Sequence, residues 1–230
     1  GGGAHPVPGE VSLAHRGVLF LDEFAEFPRN ALEVLRQPLE DGHVGLSRAL
    51  AAHDFPSKFM LVAAMNPCPC GYYGDGTRPC RCSMNAIVKY QNRISGPLLD
   101  RIDIQIEVPP VKLSELSQDG RSESSAAIRE RVLRARAIQA ERYRGMKGVY
   151  TNAEVKSRDL ADACRLSSGD RERLVKMIER LDLSARSYDK VLKIARTLAD
   201  LAGSEKVRDE DFLSAIGYRR LDRNEDSYWI

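Results

Sequence analysis

The stretch Gly17-Val18-Leu19-Phe20-Leu21-Asp22-Glu23 constrains the chain most. Four uninterrupted apolar residues suit a strand buried on both faces, as in α/β proteins whose crossover helices cover both sides of a parallel sheet. Two carboxylates follow at once. Ligands of an open α/β sheet sit beyond the carboxyl ends of its strands, so this strand delivers two acids to that edge. A second apolar run, Phe59 to Met65, ends at Asn66-Pro67 and repeats the arrangement with an amide in place of the acids. If the two strands are neighbours, Asn66 lies near Asp22 and Glu23 and can orient water or a terminal phosphate. An Asn before Pro is also ordinary turn chemistry.

An apolar strand ending in Asp-Glu is the pattern of a Walker B motif, whose Asp holds Mg²⁺ against nucleotide phosphates while the adjacent Glu polarises a water. The competing reading of these seven residues is a strand running out into a solvated acidic turn. Just past Asn66, the pairs Cys68-Pro-Cys70 and Cys80-Arg-Cys82 enclose nine residues rich in Gly, Tyr and Pro. Four thiolates from one short loop can surround Zn²⁺ tetrahedrally and hold a segment that lacks the apolar residues to fold by itself. Reduced surface thiols are the alternative, with disulfides third in a chain without secretory features. His53 and Cys164 stand apart from this cluster.

The rest of the chain organises around these strands. Pro28 can open a helix with Ala31, Leu32, Val34, Leu35 and Leu39 on one side, and Asp41-Gly42 then begins a hairpin through Val44, Leu46 and Ala49. A helix from about Met84 to Arg93 leads to Leu98-Leu99-Asp100-Arg101, where Arg101 beside Asp100 and Asp103 reads most simply as a surface ion pair. Residues 102–108 alternate apolar and polar, which suits an edge strand with one wet face. Beyond Pro109-Pro110 runs a long charged helix from about 122 to 143. Helices then follow at about 152–165, 169–181, 187–202 and 209–219, enough for a small helical domain. Arg186 precedes the third of these, where free N–H groups and a guanidinium can meet a phosphate, although a solvated Arg fits as well. The division expected is an α/β part over 1–148 and a helical part over 149–230.

In this order Gly-Val-Leu-Phe-Leu-Asp-Glu, Ala-Ala-Met-Asn-Pro, Leu-Leu-Asp-Arg-Ile-Asp and Leu-Ser-Ala-Arg resemble an AAA+ ATPase. Gly9-Glu-Val-Ser-Leu-Ala-His15, Leu35-Arg-Gln-Pro-Leu-Glu-Asp-Gly42 and Asn66-Pro-Cys-Pro-Cys-Gly71 narrow the resemblance to the bacterial magnesium-chelatase-like proteins of the ComM/YifB group. The resemblance implies part of a P-loop parallel sheet with flanking helices, followed by an all-helical lid. By position it implies ATP as substrate, Asp22 as the Mg²⁺ residue, Glu23 as the activator of water and Asn66 as sensor 1. Arg101 corresponds to an arginine finger reaching the neighbouring subunit of a hexameric ring, with Arg93 as runner-up, and Arg186 to sensor 2 on the lid. It also implies action on DNA, by branch migration in recombination and natural transformation, with the hairpin from His43 to Arg48 as the DNA-contacting loop.

One departure matters. Residues 1–230 contain no Gly-x-x-x-x-Gly-Lys-Ser/Thr, the loop whose amides and Lys cradle phosphates. The family carries it upstream of Gly1-Gly-Gly, and the first residue is Gly rather than Met. The chain is therefore expected to be the C-terminal part of the ATPase module and, alone, to bind ATP poorly and hydrolyse none. Two rival readings remain: an ATPase subunit of a true magnesium chelatase that remodels a porphyrin-inserting partner, and a non-enzymatic zinc-bearing interaction module. Charge does not choose among them. Residues 1–110 carry 10 Lys+Arg against 12 Asp+Glu and residues 111–230 carry 25 against 21, or −2 and +4, too weak an excess to indicate nucleic acid. No apolar run approaches the ~18 to 20 residues of a membrane span and no signal peptide opens the chain, so a cytoplasmic location without membrane contact is expected.

Overall fold

The computed structural model describes residues 6–47, 52–110, 123–181, 183 and 185–219. They fall into two compact units divided between Ile102 and Asp103. The first is mixed α/β, with a small parallel sheet, and the second is helical.

Parallel pairing of β1 (Val18–Leu21) with β4 (Met60–Ala63) organises the first unit, in the register Val18 to Met60 through Leu21 to Ala63. Successive strand residues point to opposite faces. Leu19 and Leu21 therefore pack on a core of Phe24, Ala25, Leu32, Leu35, Tyr90, Ile94 and Leu98. Val18, Phe20 and Met60 share the other face and stay 58%, 60% and 64% exposed. This corrects the expectation of a strand buried on both sides. Among the described residues, elements cover only one face of the sheet, so the unbroken apolar run is half wet.

Between these strands the chain makes short helices and a hairpin. After α1 (Glu10–Leu13) and β1, a 3₁₀ turn at Phe24–Glu26 leads to α2 (Arg29–Val34) and α3 (Arg36–Asp41). The single helix expected from Pro28 is broken at Leu35. Pro38 has no N–H to offer the carbonyl of Val34, and its ring crowds that turn. Gly42, at φ +71°, ends α3 in the left-handed conformation and donates its N–H to Pro38 O at 2.9 Å. The hairpin follows as expected, β2 (His43–Ser47) antiparallel to β3 (Ala52–Pro56); Arg48 lies outside the described residues. Past β4, the helices α4 (Met84–Gln91) and α5 (Gly96–Leu99) complete the unit. Ser83 caps α4 by accepting the Ala86 N–H at 3.3 Å.

The second unit corrects two expectations. Residues 102–108 join no strand ladder; instead Gln105 N–H donates to Tyr218 O at 2.8 Å. The long helix α6 (Ser125–Arg142) also belongs here rather than with the α/β part, because it packs along α9 (Ala185–Leu201). The unit therefore begins at Asp103 and not at 149. A 3₁₀ turn at Asn152–Glu154, then α7 (Ser157–Ala163), α8 (Ser168–Arg180) and α10 (Asp209–Gly217), pack around α9. Their core holds Leu160, Leu174, Ile178, Val191, Leu192, Ala195, Phe212 and Ile216. On α9 the apolar positions Val191, Leu192, Ala195 and Ala199 recur at three- and four-residue steps, as a core-facing helix requires.

A buried polar network ties α6 to α9. Asp200 accepts from Arg142 Nη1 at 2.8 Å, Asn152 Nδ2 at 2.9 Å and Arg196 Nε at 3.1 Å, and Tyr143 Oη donates to Asn152 Oδ1 at 2.6 Å. Arg196 and Asp200 are each 1% exposed. Burial opposes ionisation of Asp200, but hydrogen bonds from Arg142 and Asn152 and the charge of Arg196 outweigh it, so its pKa lies below the usual carboxylate value. A depressed folded pKa gives stability that is present above the unfolded value of about 4 and is lost as pH falls through the folded one. Asp200→Ala is expected to lower the unfolding free energy at pH 7 by about 3–5 kcal/mol, since it leaves the Arg196 charge buried. Urea denaturation followed by circular dichroism measures this. The gap to wild type should narrow below about pH 4; a loss under about 1 kcal/mol would deny the network its role.

Candidate functional site

Adjacent parallel strands end at the same sheet edge, so the pairing of β1 with β4 brings Asp22-Glu23 and Asn66 to one rim. The two strand ends are laced together. Ala64 N–H donates to Leu21 O and Phe24 N–H to Ala64 O, each at 2.9 Å. Asp22 and Glu23 are both exposed beyond this lacing. Asp22 Oδ1 accepts the Glu23 N–H at 2.8 Å, a local bond that turns the chain as the strand ends. Glu23 itself sits at φ 49°, ψ 41°. A left-handed conformation costs an L residue about 1–2 kcal/mol, and such strain gathers at functional sites. Buried Phe24 and Ala25 follow directly, and they fix the turn against the core.

The arginines fall in different places. Arg101 is largely buried, its side chain 13% exposed, with Nη2 paired to Glu40 at 2.6 Å and Nη1 donating to Pro97 O. The surface pair expected with Asp100 and Asp103 is thus replaced, for the guanidinium, by a carboxylate 61 residues away. Asp103 instead pairs with Lys190 at 2.8 Å, inside the helical unit. Arg93 donates to Ala25 O at 3.0 Å and pairs with Glu26 at 2.6 Å, just past the acidic rim. Arg186 is the second residue of α9, in its first turn rather than ahead of it; its side chain lies outside what is described.

Cys68, Cys70, Cys80 and Cys82 come together, their sulfurs all within 4.8 Å of one another. Cys68 Sγ lies 3.4 Å from Cys70 Sγ and 3.7 Å from Cys80 Sγ, and Cys70 Sγ lies 3.6 Å from Cys80 Sγ. A disulfide needs about 2.05 Å. A tetrahedral ion with Zn–S bonds of about 2.3 Å needs sulfur–sulfur edges near 3.8 Å, so the donor set fits Zn²⁺. Backbone N–H groups of Tyr72 and Arg81 hold the Cys70 thiol down to about 6. Cys80, in spite of the N–H bond from Cys82, is pushed up to about 12 by burial and its sulfur neighbours. Cys164 stands apart, as expected: it is buried in the helical core with its Sγ 3.7 Å from Leu192 O, and burial raises its thiol to about 11. No motif marks Gln91, whose Nε2 donates to Pro67 O at 2.9 Å, or the Glu40 and Glu26 partners. These are pairings between distant residues of ordinary type, without a motif.

Residues 1–116 match the family model described as magnesium chelatase, subunit ChlI, and residues 122–219 match that of its C-terminal part. The chain belongs to this family, in its ComM/YifB-like branch. It is 48% identical over 224 residues to competence protein ComM of Haemophilus influenzae and 43% identical over 226 residues to the uncharacterized protein YifB of Escherichia coli. Each comparison covers 97% of this chain and 43% of the relative, so the chain spans under half the length of the curated relatives it matches. No helix among the described residues is long and apolar enough to cross a membrane.

The backbone at Glu23 is itself testable. Glu23→Gly removes the left-handed penalty but frees the unfolded chain, so the expected result is between no change and a gain of about 1 kcal/mol in unfolding free energy. Chemical denaturation that showed a loss of more than about 1 kcal/mol would remove strain as the description of this turn.

Proposed function

We propose that the chain is the part of an ATP-hydrolysing AAA+ ring motor that supplies its acidic edge, its sensor and its helical lid, and that the motor acts on DNA. The observation that carries this reading is the shared rim of Asp22-Glu23 and Asn66 at the ends of two laced parallel strands. A hard carboxylate oxygen at a strand end suits Mg²⁺, and Asp22 would hold that ion, directly or through water. The ion would offset the charge of the ATP phosphates. Glu23 would accept the proton of the attacking water, and Asn66 would orient that water or the terminal phosphate by donating from its amide. Arg101 would serve the neighbouring subunit of a hexameric ring. In that role its bonds to Glu40 and Pro97 hold the guanidinium ready within its own subunit. Arg186, in the first turn of the lid helix α9, would meet the phosphates as the second sensor. The same reading gives Cys68, Cys70, Cys80 and Cys82 a structural Zn²⁺.

Similarity to a protein named for competence favours DNA as the substrate, and the resemblance to the ComM/YifB group implies branch migration in recombination and natural transformation as the task. The description of the family as a magnesium chelatase subunit favours the second reading, an ATPase that remodels a porphyrin-inserting partner. A porphyrin-insertion assay with partner subunits separates the two.

In the whole protein that carries this chain, Glu23→Gln is expected to lower ATP turnover by about 100-fold or more while Mg²⁺–ATP still binds, the size of a lost general base. Turnover within about threefold of wild type would reject the assignment. For the DNA contact, Arg48→Ala should weaken binding across sequences and reduce the slope of log affinity against log salt by about 1. Unchanged binding across a salt titration would reject it.

A further inference from the structure

Only one residue in the stretch from Cys68 to Cys82 is buried, and it is Cys68. The rest of this loop has no apolar core. Its described internal bonds are short-range: Gly71 N–H to Cys68 O at 3.0 Å, Asp75 N–H to Tyr72 O at 3.3 Å, Thr77 to Asp75 at 2.7 Å and Arg78 to Tyr72 at 3.1 Å. Contacts of this kind cannot offset the entropy of ordering fifteen residues at about 1–2 kcal/mol each. The four sulfurs are what the loop converges on, and ligand bonds to a metal are strong enough to order it.

The two ends of the loop are attached to the acidic rim. On one side Ala64 is laced to Leu21 and Phe24 of the strand that ends in Asp22-Glu23, and Cys68 is only four residues further on. Asn66 is midway between the lacing and the cluster. On the other side Cys82 directly precedes Ser83, the cap of α4. From the far end of α4, Gln91 reaches back to Pro67 O and Arg93 holds Ala25 O. The loop also folds over Asn66 itself. Gly71 has φ +81°, and a Cβ placed there would lie 3.9 Å from both Cγ and Oδ1 of Asn66. The backbone of Gly71 thus backs the carboxamide that the proposed function uses.

We infer that the metal held by Cys68, Cys70, Cys80 and Cys82 is a positioning device for Asn66. By ordering the loop that carries Pro67 and Gly71, it fixes the amide beside Asp22 and Glu23. This rests on the zinc reading above and adds a role for the ion at the site. The four cysteines are positioning residues: they act through Asn66 and not on substrate. Loss of the ion would release Asn66 while β1, its core and the helical unit stay folded, because no residue of the loop belongs to either hydrophobic core.

The test compares the zinc-loaded full chain, the same chain stripped with a chelator, and the variants Cys82→Ser and Cys82→His. Elemental analysis, together with the charge-transfer and ligand-field bands of a Co²⁺-substituted sample, reports the site. One ion per chain with a tetrahedral thiolate spectrum is expected, and Cys82→His should keep the ion. A chain purified under reducing conditions without a stoichiometric metal, and taking up neither Zn²⁺ nor Co²⁺, would overturn the zinc reading and the inference with it. Hydrogen–deuterium exchange reports positioning without any need for activity. On metal loss, protection at residues 64–72 should fall about tenfold or more, with residues 18–21 and 185–201 unchanged and Cys82→His close to wild type. Unchanged exchange at 64–72 in a demonstrably metal-free chain would overturn the inference while leaving zinc in place. In the whole protein, Cys82→Ser and Asn66→Ala should each lower turnover about 100-fold, the scale of one lost preorganised donor, and the double variant should be no worse than either. Fully additive losses would show that the ion acts elsewhere.

Discussion

Two strands lie side by side and run the same way, and the arrangement of the α/β unit follows from that contact. Parallel pairing of β1 with β4 is what turns two separate sequence endings, one acidic and one amide, into a single edge. Hydrogen bonds continue past the ladder, from Ala64 to Leu21 and from Phe24 to Ala64, so the chain leaves both strands in a fixed direction. The core beneath holds this in place through Leu19 and Leu21 on one side of the sheet and Phe24 and Ala25 directly after the acids. Glu23 is held left-handed between a strand and a buried turn. Packing thus holds the acidic part of the rim, whose Asp22 and Glu23 are exposed at the strand end.

The helical unit and the cysteine loop differ in what can order them. The helical unit has the apolar stripe and the buried Asp200 network of a self-sufficient helix cluster. The cysteine loop has neither; its four sulfurs converge at the spacing a tetrahedral ion needs. A loop of that kind sits next to Asn66.

Much of this was legible from residue order. Apolar runs ending in Asp-Glu and in Asn-Pro marked the strands, Asp41-Gly42 marked the hairpin, and paired cysteines marked the cluster, because each is a local pattern with a local cause. What stayed hidden depended on distant partners. Val18 and Phe20 read as doubly buried, since periodicity cannot say how many faces of a sheet are covered. Residues 102–108 alternate like a strand, yet they join no ladder, because alternation describes a side-chain pattern and not a hydrogen-bonding neighbour. The break at Leu35 follows from Pro38, whose missing N–H the apolar stripe alone does not show. The long helix at Ser125–Arg142 reads as charged, and its packing along α9, with the Arg142 bond to Asp200 58 residues on, assigns it to the helical unit.

In the proposed motor the divalent ion and nucleotide meet the rim formed by β1 and β4. Iron-mediated affinity cleavage tests this most directly: the whole, zinc-loaded protein is charged with ATP and Fe²⁺ in place of Mg²⁺, treated with ascorbate and peroxide, and its cut sites are mapped by mass spectrometry. Nucleotide-dependent cuts clustered at Asp22-Glu23 and at 64–66 are the predicted result. Cuts that avoid both segments, or that are the same with and without ATP, would contradict it.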